Sequence, residues 1–129
     1  MEIEIFTLCD FAQDNQQKLT VVGTFDSLWA TQFPVLHPFC SVACRLRFSN
    51  KDKGEHNFML KLIDSTGRQV IPECNGIFTI GESPAGYSSI NLVANYGQLQ
   101  FSSAGRYSFE LYVDGEWASG LPLNVAQAA

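Results

Sequence analysis

The two histidines are the side chains of this chain best suited to acid–base chemistry near neutral pH. His37 stands between two prolines, which fix the backbone around it. It could act as a base or ligand beside Cys9, Asp10 or Asp26. The interpretation that the sequence favours is a loop histidine that hydrogen-bonds a carbonyl group. His56 follows a dense run of charges and is predicted to be exposed.

The four cysteines could form two disulfides or one zinc site. Cys40 and Cys44 lie four residues apart in a predicted strand, where they would be roughly 13 Å apart, too far to bind one metal ion. The spacing does not decide whether Cys9 and Cys74 are in contact across strands. The sequence favours four buried or incidental thiols, with no disulfide, metal or cofactor.

Motifs typical of catalysis are absent from the sequence: it contains no phosphate-binding loop, dinucleotide fingerprint, zinc-protease helix or nucleophile elbow. Asp10 and Asp26 follow the first two predicted strands. If those strands are antiparallel, the two carboxylates lie at opposite ends of the sheet, and each is better explained as a turn former. We therefore predict that the protein is not an enzyme.

Aromatic residues in loops, near turns or at outward strand positions indicate binding instead. Trp29 lies in the middle of a predicted loop, where it either plugs one end of the fold or protrudes. Tyr112 occupies an outward position, and Met59, Ile63 and Val93 alternate out of phase with the core. They could face the second sheet or form an apolar patch for self-association. The candidate binding surface comprises Trp29, Phe33, His37, Tyr87, Tyr96 and Trp117.

The composition is that of a folded acidic domain. Hydrophobic residues make up 46% of the chain and charged residues 16%, against a usual charged share of about 25%. The net charge of −5 disfavours nucleic-acid binding. Acidic residues near the start do not resemble a signal peptide, and no apolar stretch could cross a membrane, so a cytoplasmic protein is expected. We predict one domain over residues 1–126 and a frayed tail over 127–129.

Alternating hydrophobic residues and turn signals predict eight or nine strands and no helix. Residues 26–38 are predicted to form a long loop, and residues 69–71 a short strand. In the third strand, 39–48, Cys40 and its alternate neighbours should face inward, leaving Ser41 and Ala43 outward. Residues 95–97 are predicted to interrupt a strand. The pattern indicates an antiparallel two-sheet β-sandwich.

The last predicted hairpin, residues 105–125, turns at Asp114-Gly115, a strong two-residue turn signal. The segment before it resembles the corner preceding the F strand of immunoglobulin-like sandwiches, in which a tyrosine bonds back to the backbone. Tyr107 takes that position. Phe109 lies where antibody domains have a cysteine, so the predicted architecture is immunoglobulin-like without its disulfide.

Three blocks of sequence together resemble a family of small uncharacterised bacterial proteins, a domain of unknown function. The blocks are Cys9-Asp10, residues 18–26 with Phe33-Pro34 and His37-Pro38, and residues 105–109 with 113–115. The resemblance covers nearly the whole chain. It implies a stand-alone bacterial β-sandwich and transfers no catalytic residues.

The function expected from the sequence is therefore a non-catalytic cytoplasmic module for protein interaction or assembly. Its partner would be another protein or a second copy, with no nucleic acid and no membrane involved. The alternative is a small-ligand or carbohydrate-binding domain that uses exposed aromatic side chains.

Overall fold

A computed structural model describes residues 1–128 and contains nine strands, one 3₁₀ turn at Asn50–Asp52, and no α-helix within those residues. The all-β prediction is confirmed. The strands are β1 (Glu2–Asn15), β2 (Lys18–Thr24), β3 (Ser27–Ala30), β4 (Val35–Ser49), β5 (Gly54–Ile63), β6 (Cys74–Ile80), β7 (Tyr87–Phe101), β8 (Gly105–Val113) and β9 (Glu116–Gln127).

The strands form two sheets that share one hydrophobic core. The four-stranded sheet has the order β2-β1-β4-β7 and is antiparallel throughout. The five-stranded sheet has the order β3-β9-β8-β5-β6, and β3 pairs with β9 in parallel. The prediction of antiparallel strands therefore holds for the first sheet only, because the short β3 makes the second sheet mixed.

The inward face of β4 supplies much of the core, as its alternation predicts. Cys40, Val42 and Leu46 are almost completely buried. Ser41 and Ala43 point to the other side of the sheet, yet both are also fully buried. Their burial means that the outer face of the four-stranded sheet is covered.

The cover is the β1–β2 hairpin, residues 9–24, which we call the flap. The turn at its tip contacts the outer face of the sheet through Arg45 and Asn91. Beneath it lies a second small core, formed by Cys9, Ala12, Leu19, Val21, Ala43 and Val93. Gly23 lies at the base of the flap with a φ of 70°, and a Cβ there would lie 2.6 Å from Asp10 Oδ2. Only glycine fits this close approach without strain.

Three other differences from the predicted strands have local causes. Residues 26–38 contain β3 and the start of β4 instead of one loop. β7 runs unbroken through residues 95–97, and at Gln98, with a φ of 57°, the alternation of the strand changes, so that Leu99 and Phe101 are buried. Within residues 69–71, Gln69 makes only an isolated bridge.

The C-terminal end is also more ordered than a frayed tail. Gln127 is the last residue of β9, where it pairs with Ala30, and the Ala128 N–H donates to the Ala30 carbonyl oxygen. This extra strand pairing exists because β3 lies beside β9, which the sequence pattern does not indicate. Ala129 lies outside the described residues.

The corner before β8 has the predicted backbone contact. The Tyr107 hydroxyl donates to the Ser103 carbonyl oxygen at 2.7 Å. Phe109, two residues later, is 0% exposed and packs against Tyr96 with ring centroids 5.4 Å apart. The Asp114-Gly115 turn is also confirmed, with positive φ angles of 53° and 80°.

Candidate binding face

The outer face of the five-stranded sheet carries a row of large side chains, of which two are exposed and two are half-buried. Met59 of β5 pairs with Tyr112 of β8, which pairs in turn with Trp117 of β9. Ile77, on the edge strand β6, pairs with Asn57, which precedes Met59 by two residues on β5. Trp117 is 60% exposed and Ile77 68%. We call Met59, Ile77, Tyr112 and Trp117 the aromatic face.

Polar contacts hold the two aromatic rings in place. Glu110 lies over Gly120, where a Cβ would collide with its carboxylate. From there Glu110 Oε2 accepts a hydrogen bond of 2.9 Å from the Trp117 indole nitrogen. Lys61 Nζ lies 5.1 Å from the centroid of the Tyr112 ring. The rings are therefore presented in fixed orientations, which lowers the entropic cost of binding.

Carboxylates surround Trp117. Glu110 bonds its indole, Glu116 precedes it, and Asp114 lines the same shallow cavity of about 210 Å³. His56, which bonds Asp114, also lines this cavity. An exposed tryptophan among carboxylates attracts cationic side chains, since its ring face also favours a positive charge.

His56 is not the exposed residue that the sequence predicts. Its side chain is 15% exposed and stacks on Phe78. Nδ1 lies 2.7 Å from Asp114 Oδ2, and Nε2 lies 2.6 Å from the Asp52 carbonyl oxygen. Both neighbours are acceptors, so the two contacts favour the protonated ring, which donates from both nitrogens. Through them His56 links β5 to the β8–β9 turn.

The same contacts shift both pKa values. The hydrogen bond to Asp114, then that to the Asp52 carbonyl, raises the pKa of His56 above its ordinary 6.5. The bond from His56, then that from the Asn57 N–H, lowers the pKa of Asp114 below 3.8. The stabilisation due to His56 is complete below pH 6.5 and is lost as the pH rises through its folded-state pKa. That due to Asp114 is complete above pH 3.8 and is lost on acidification.

His56→Gln is therefore expected to destabilise the protein more at pH 5.5 than at pH 8.5. We expect a difference of about 1 kcal/mol, since solvent screens the half-exposed Asp114. Urea unfolding at both pH values measures it. Lys53→Gln is the control, because it breaks a well-exposed ion pair, Lys53–Glu82, and leaves His56 and Asp114 unchanged. Equal destabilisation by His56→Gln at the two pH values would contradict the assignment.

The structure does not bring the six predicted binding residues together. Trp29 is 69% exposed on the outer face of β3, so it protrudes and does not plug the fold. It pairs with Ala126, whereas Trp117 is the second residue of the same β9 strand, about 30 Å away. Tyr87 is half-exposed on β7, with Arg47 over its ring.

Of the other three, one is buried and two are half-buried. Tyr96 is only 9% exposed, so its place in a binding surface is wrong; burial raises its pKa. Phe33 is half-buried against the core. His37 is half-buried too, with its ring 5.7 Å from that of Phe25, and its Nε2 has no hydrogen-bond partner among the described residues. The carbonyl bond predicted for His37 is therefore absent at Nε2.

The four cysteines are free thiols. Burial raises the pKa of Cys40 to about 11 and that of Cys44 to about 12, and it also raises that of Cys9. Such thiols are poor nucleophiles at neutral pH, since the thiolate is the reactive form. Within residues 1–128, no group of three or more His, Cys, Asp or Glu side chains is placed to hold a metal ion. No helix in that range is long and apolar enough to cross a membrane.

A protein-family model matches residues 4–126, almost the whole length over which the two sheets and the aromatic face are built. The chain belongs to DUF6941, a family of unknown function. This DUF6941 chain has no match among curated proteins. One solved structure with similarity is Pseudomonas fluorescens alkylpurine DNA glycosylase AlkC bound to DNA containing an abasic site analog. Its TM-score is 0.45 and its identity 12%; the match covers 78% of this chain and 28% of the glycosylase chain.

Proposed function

We propose that this DUF6941 protein is a non-catalytic interaction module that binds a basic protein partner through its aromatic face. One observation carries the proposal. The chain covers part of the outer face of its four-stranded sheet with its own flap, whereas on the five-stranded sheet Trp117 and Ile77 stay exposed beside the half-buried Met59 and Tyr112. A preoriented tryptophan beside other apolar side chains is typical of the centre of protein interfaces.

Charge favours a different protein over a second copy as the partner. The chain carries a net charge of −5, and Glu110, Asp114 and Glu116 lie around Trp117. Self-association through this face would place like charges near one another, which costs free energy. A partner with lysine or arginine side chains would pair with these carboxylates and stack on the indole.

The experiment compares two exposed tryptophans on the same sheet. The full chain is immobilised and exposed to an extract of cells that express it, at low and high salt. We expect a partner that is retained at low salt, is lost with Trp117→Ala, and persists with Trp29→Ala. Equal retention by both variants, or a stable homodimer of the pure protein in sedimentation velocity, would overturn the proposal.

Glycan binding is the second candidate, supported by the fixed orientation of the Trp117 indole beside Tyr112. Sugar rings stack on such faces. Lys61 already occupies one side of the Tyr112 ring, however, which favours the protein partner. Quenching of Trp117 fluorescence by a glycan panel in a Trp29→Phe background, with no protein partner captured, would reverse this order.

We further infer an immunoglobulin-like sandwich and a bacterial, cytoplasmic setting. The bond from Tyr107 to Ser103 and the buried Phe109 support the first. The four free thiols support a reducing compartment. An experimental structure checks the architecture, and fractionation of the source cells checks the location.

A further inference from the structure

A second concave surface lies at one end of the molecule, between the loop that follows β5 and the turn that joins β7 to β8. Its volume is about 620 Å³, and we call it the end groove. One wall is formed by residues 64–70 and the other by residues 100–107. It is distinct from the aromatic face, since none of the four residues of that face lines it.

Both walls are held by hydrogen bonds of their own. Asp64 Oδ1 accepts bonds from the backbone N–H groups of Thr66 and Arg68, at 2.9 and 3.0 Å, and from the Thr66 hydroxyl. These bonds lower the pKa of Asp64, those from Thr66 and Arg68 being the largest causes. Across the groove, the bond from Tyr107 to Ser103 fixes the turn. The groove is therefore preorganised.

The lining contains two of the four arginines, and they differ from the other two. Arg45 and Arg47 both pair with Glu4. Among the described residues, no carboxylate lies within salt-bridge distance of Arg68 or Arg106. Neither groove arginine therefore forms a salt bridge, although the charge of Arg68 reaches Asp64 and is the smallest of the causes that lower the pKa of that carboxyl.

Small donors accompany the arginines. The residues Ser65, Ser102 and Ser103 line the groove, and their hydroxyl groups make no hydrogen bond within residues 1–128; the bond at Ser103 uses its carbonyl oxygen. Arginine guanidinium groups and serine hydroxyls are donors that bind tetrahedral oxyanions. Asp64 is the one carboxylate in the described lining, and its negative charge repels an anion.

From these donors, we propose that the end groove binds a phosphoryl group of a phosphorylated ligand, with Arg68 and Arg106 as its charged contacts. The serine hydroxyls complete the set of donors, and Asp64 weakens the affinity. This site is independent of the aromatic face, so either can fail without the other.

The test is an amide chemical-shift titration of the full chain with inorganic phosphate, phosphoserine, serine and acetate. We expect saturable shifts at Arg68 and residues 102–106 with the first two probes, with a Kd on the order of 1 mM. Serine and acetate should produce none. Binding of acetate as strong as that of phosphate would overturn the assignment, as would shifts spread over the surface without saturation.

Three variants make the test specific. The double variant R68Q/R106Q should weaken phosphate binding at least about tenfold, since it removes two charge-assisted contacts. Arg47→Gln, which changes an arginine outside the groove, should bind as the wild type does. Asp64→Asn should bind more tightly. Unchanged affinity in R68Q/R106Q with a native-like spectrum, or weaker affinity in Asp64→Asn, would refute the proposal.

Discussion

Phe109→Ala is expected to reduce the free energy of unfolding by about 3–5 kcal/mol, the usual cost of emptying a fully buried phenylalanine site. Phe109 is 0% exposed and packs against Tyr96 where both sheets meet in the core. Domains of this size are stabilised by only about 5–15 kcal/mol in total. This single truncation therefore removes a large share of the stability. Urea unfolding followed by tryptophan fluorescence measures the change.

Two further variants locate the effect. Phe109→Leu keeps most of the volume and should cost less than about 1.5 kcal/mol. Ile77→Ala removes an apolar side chain that is 68% exposed, and its effect should stay within about 0.5 kcal/mol. A loss below 1 kcal/mol for Phe109→Ala would mean that β8 does not carry the core contact described above.

The structural features that depend on residues adjacent in sequence were predicted from local sequence signals. The alternation in β8 predicted which side of that strand is buried. Asp114-Gly115 predicted the turn between β8 and β9, and Tyr107 predicted the corner before β8. Each feature depends on the residues next to it, through strand periodicity or the dihedral angles of a turn. The all-β class and the family resemblance have the same local basis.

The flap could not be predicted in this way. Alternation in a strand distinguishes two sides but does not say what covers each of them. Ala12 and Val21 therefore gave no sign that they pack on Ala43. The signal available was Gly23 opposite Asp10, a position where a side chain cannot fit. A glycine in a strand marks such a close approach but does not identify its direction.

The candidate site was predicted only in part for a related reason. Trp117 is exposed as expected, whereas Tyr96 turned inward because the long β4–β7 pairing places it opposite the buried Cys40. Register also decides that Met59, Tyr112 and Trp117 form one row. These are contacts between strands distant in sequence, which alternation within one strand does not encode.

The flap is held closed by hydrogen bonds that involve Arg45. The Arg45 guanidinium donates to the Gln17 carbonyl oxygen at 3.3 Å and to Asn91 Oδ1 at 2.9 Å. Asn91 in turn donates to Asp14 Oδ1 at 2.7 Å. Arg45 thus bonds the tip of the flap directly, and through Asn91 it bonds the tip a second time.

Arg45→Met should therefore release the flap and expose Cys9, which is 0% exposed beneath it. We expect thiol labelling of Cys9 to accelerate about tenfold or more, since a hydrogen bond to a charged group contributes about 1.5–3 kcal/mol and 1.4 kcal/mol is a factor of ten. A Cys74→Ser background removes the half-buried thiol that would otherwise be labelled first. Mass spectrometry after timed labelling identifies the modified cysteine.

Arg47→Met is the matched control, because Arg47 reaches the same Glu4, at 3.6 Å, but makes no hydrogen bond to the flap. It should label at the wild-type rate. If Arg45→Met and Arg47→Met label alike, the small core under the flap, and not the arginine, keeps the hairpin closed. In that case Ala12→Ser, which places a hydroxyl in that core, should be the variant that exposes Cys9.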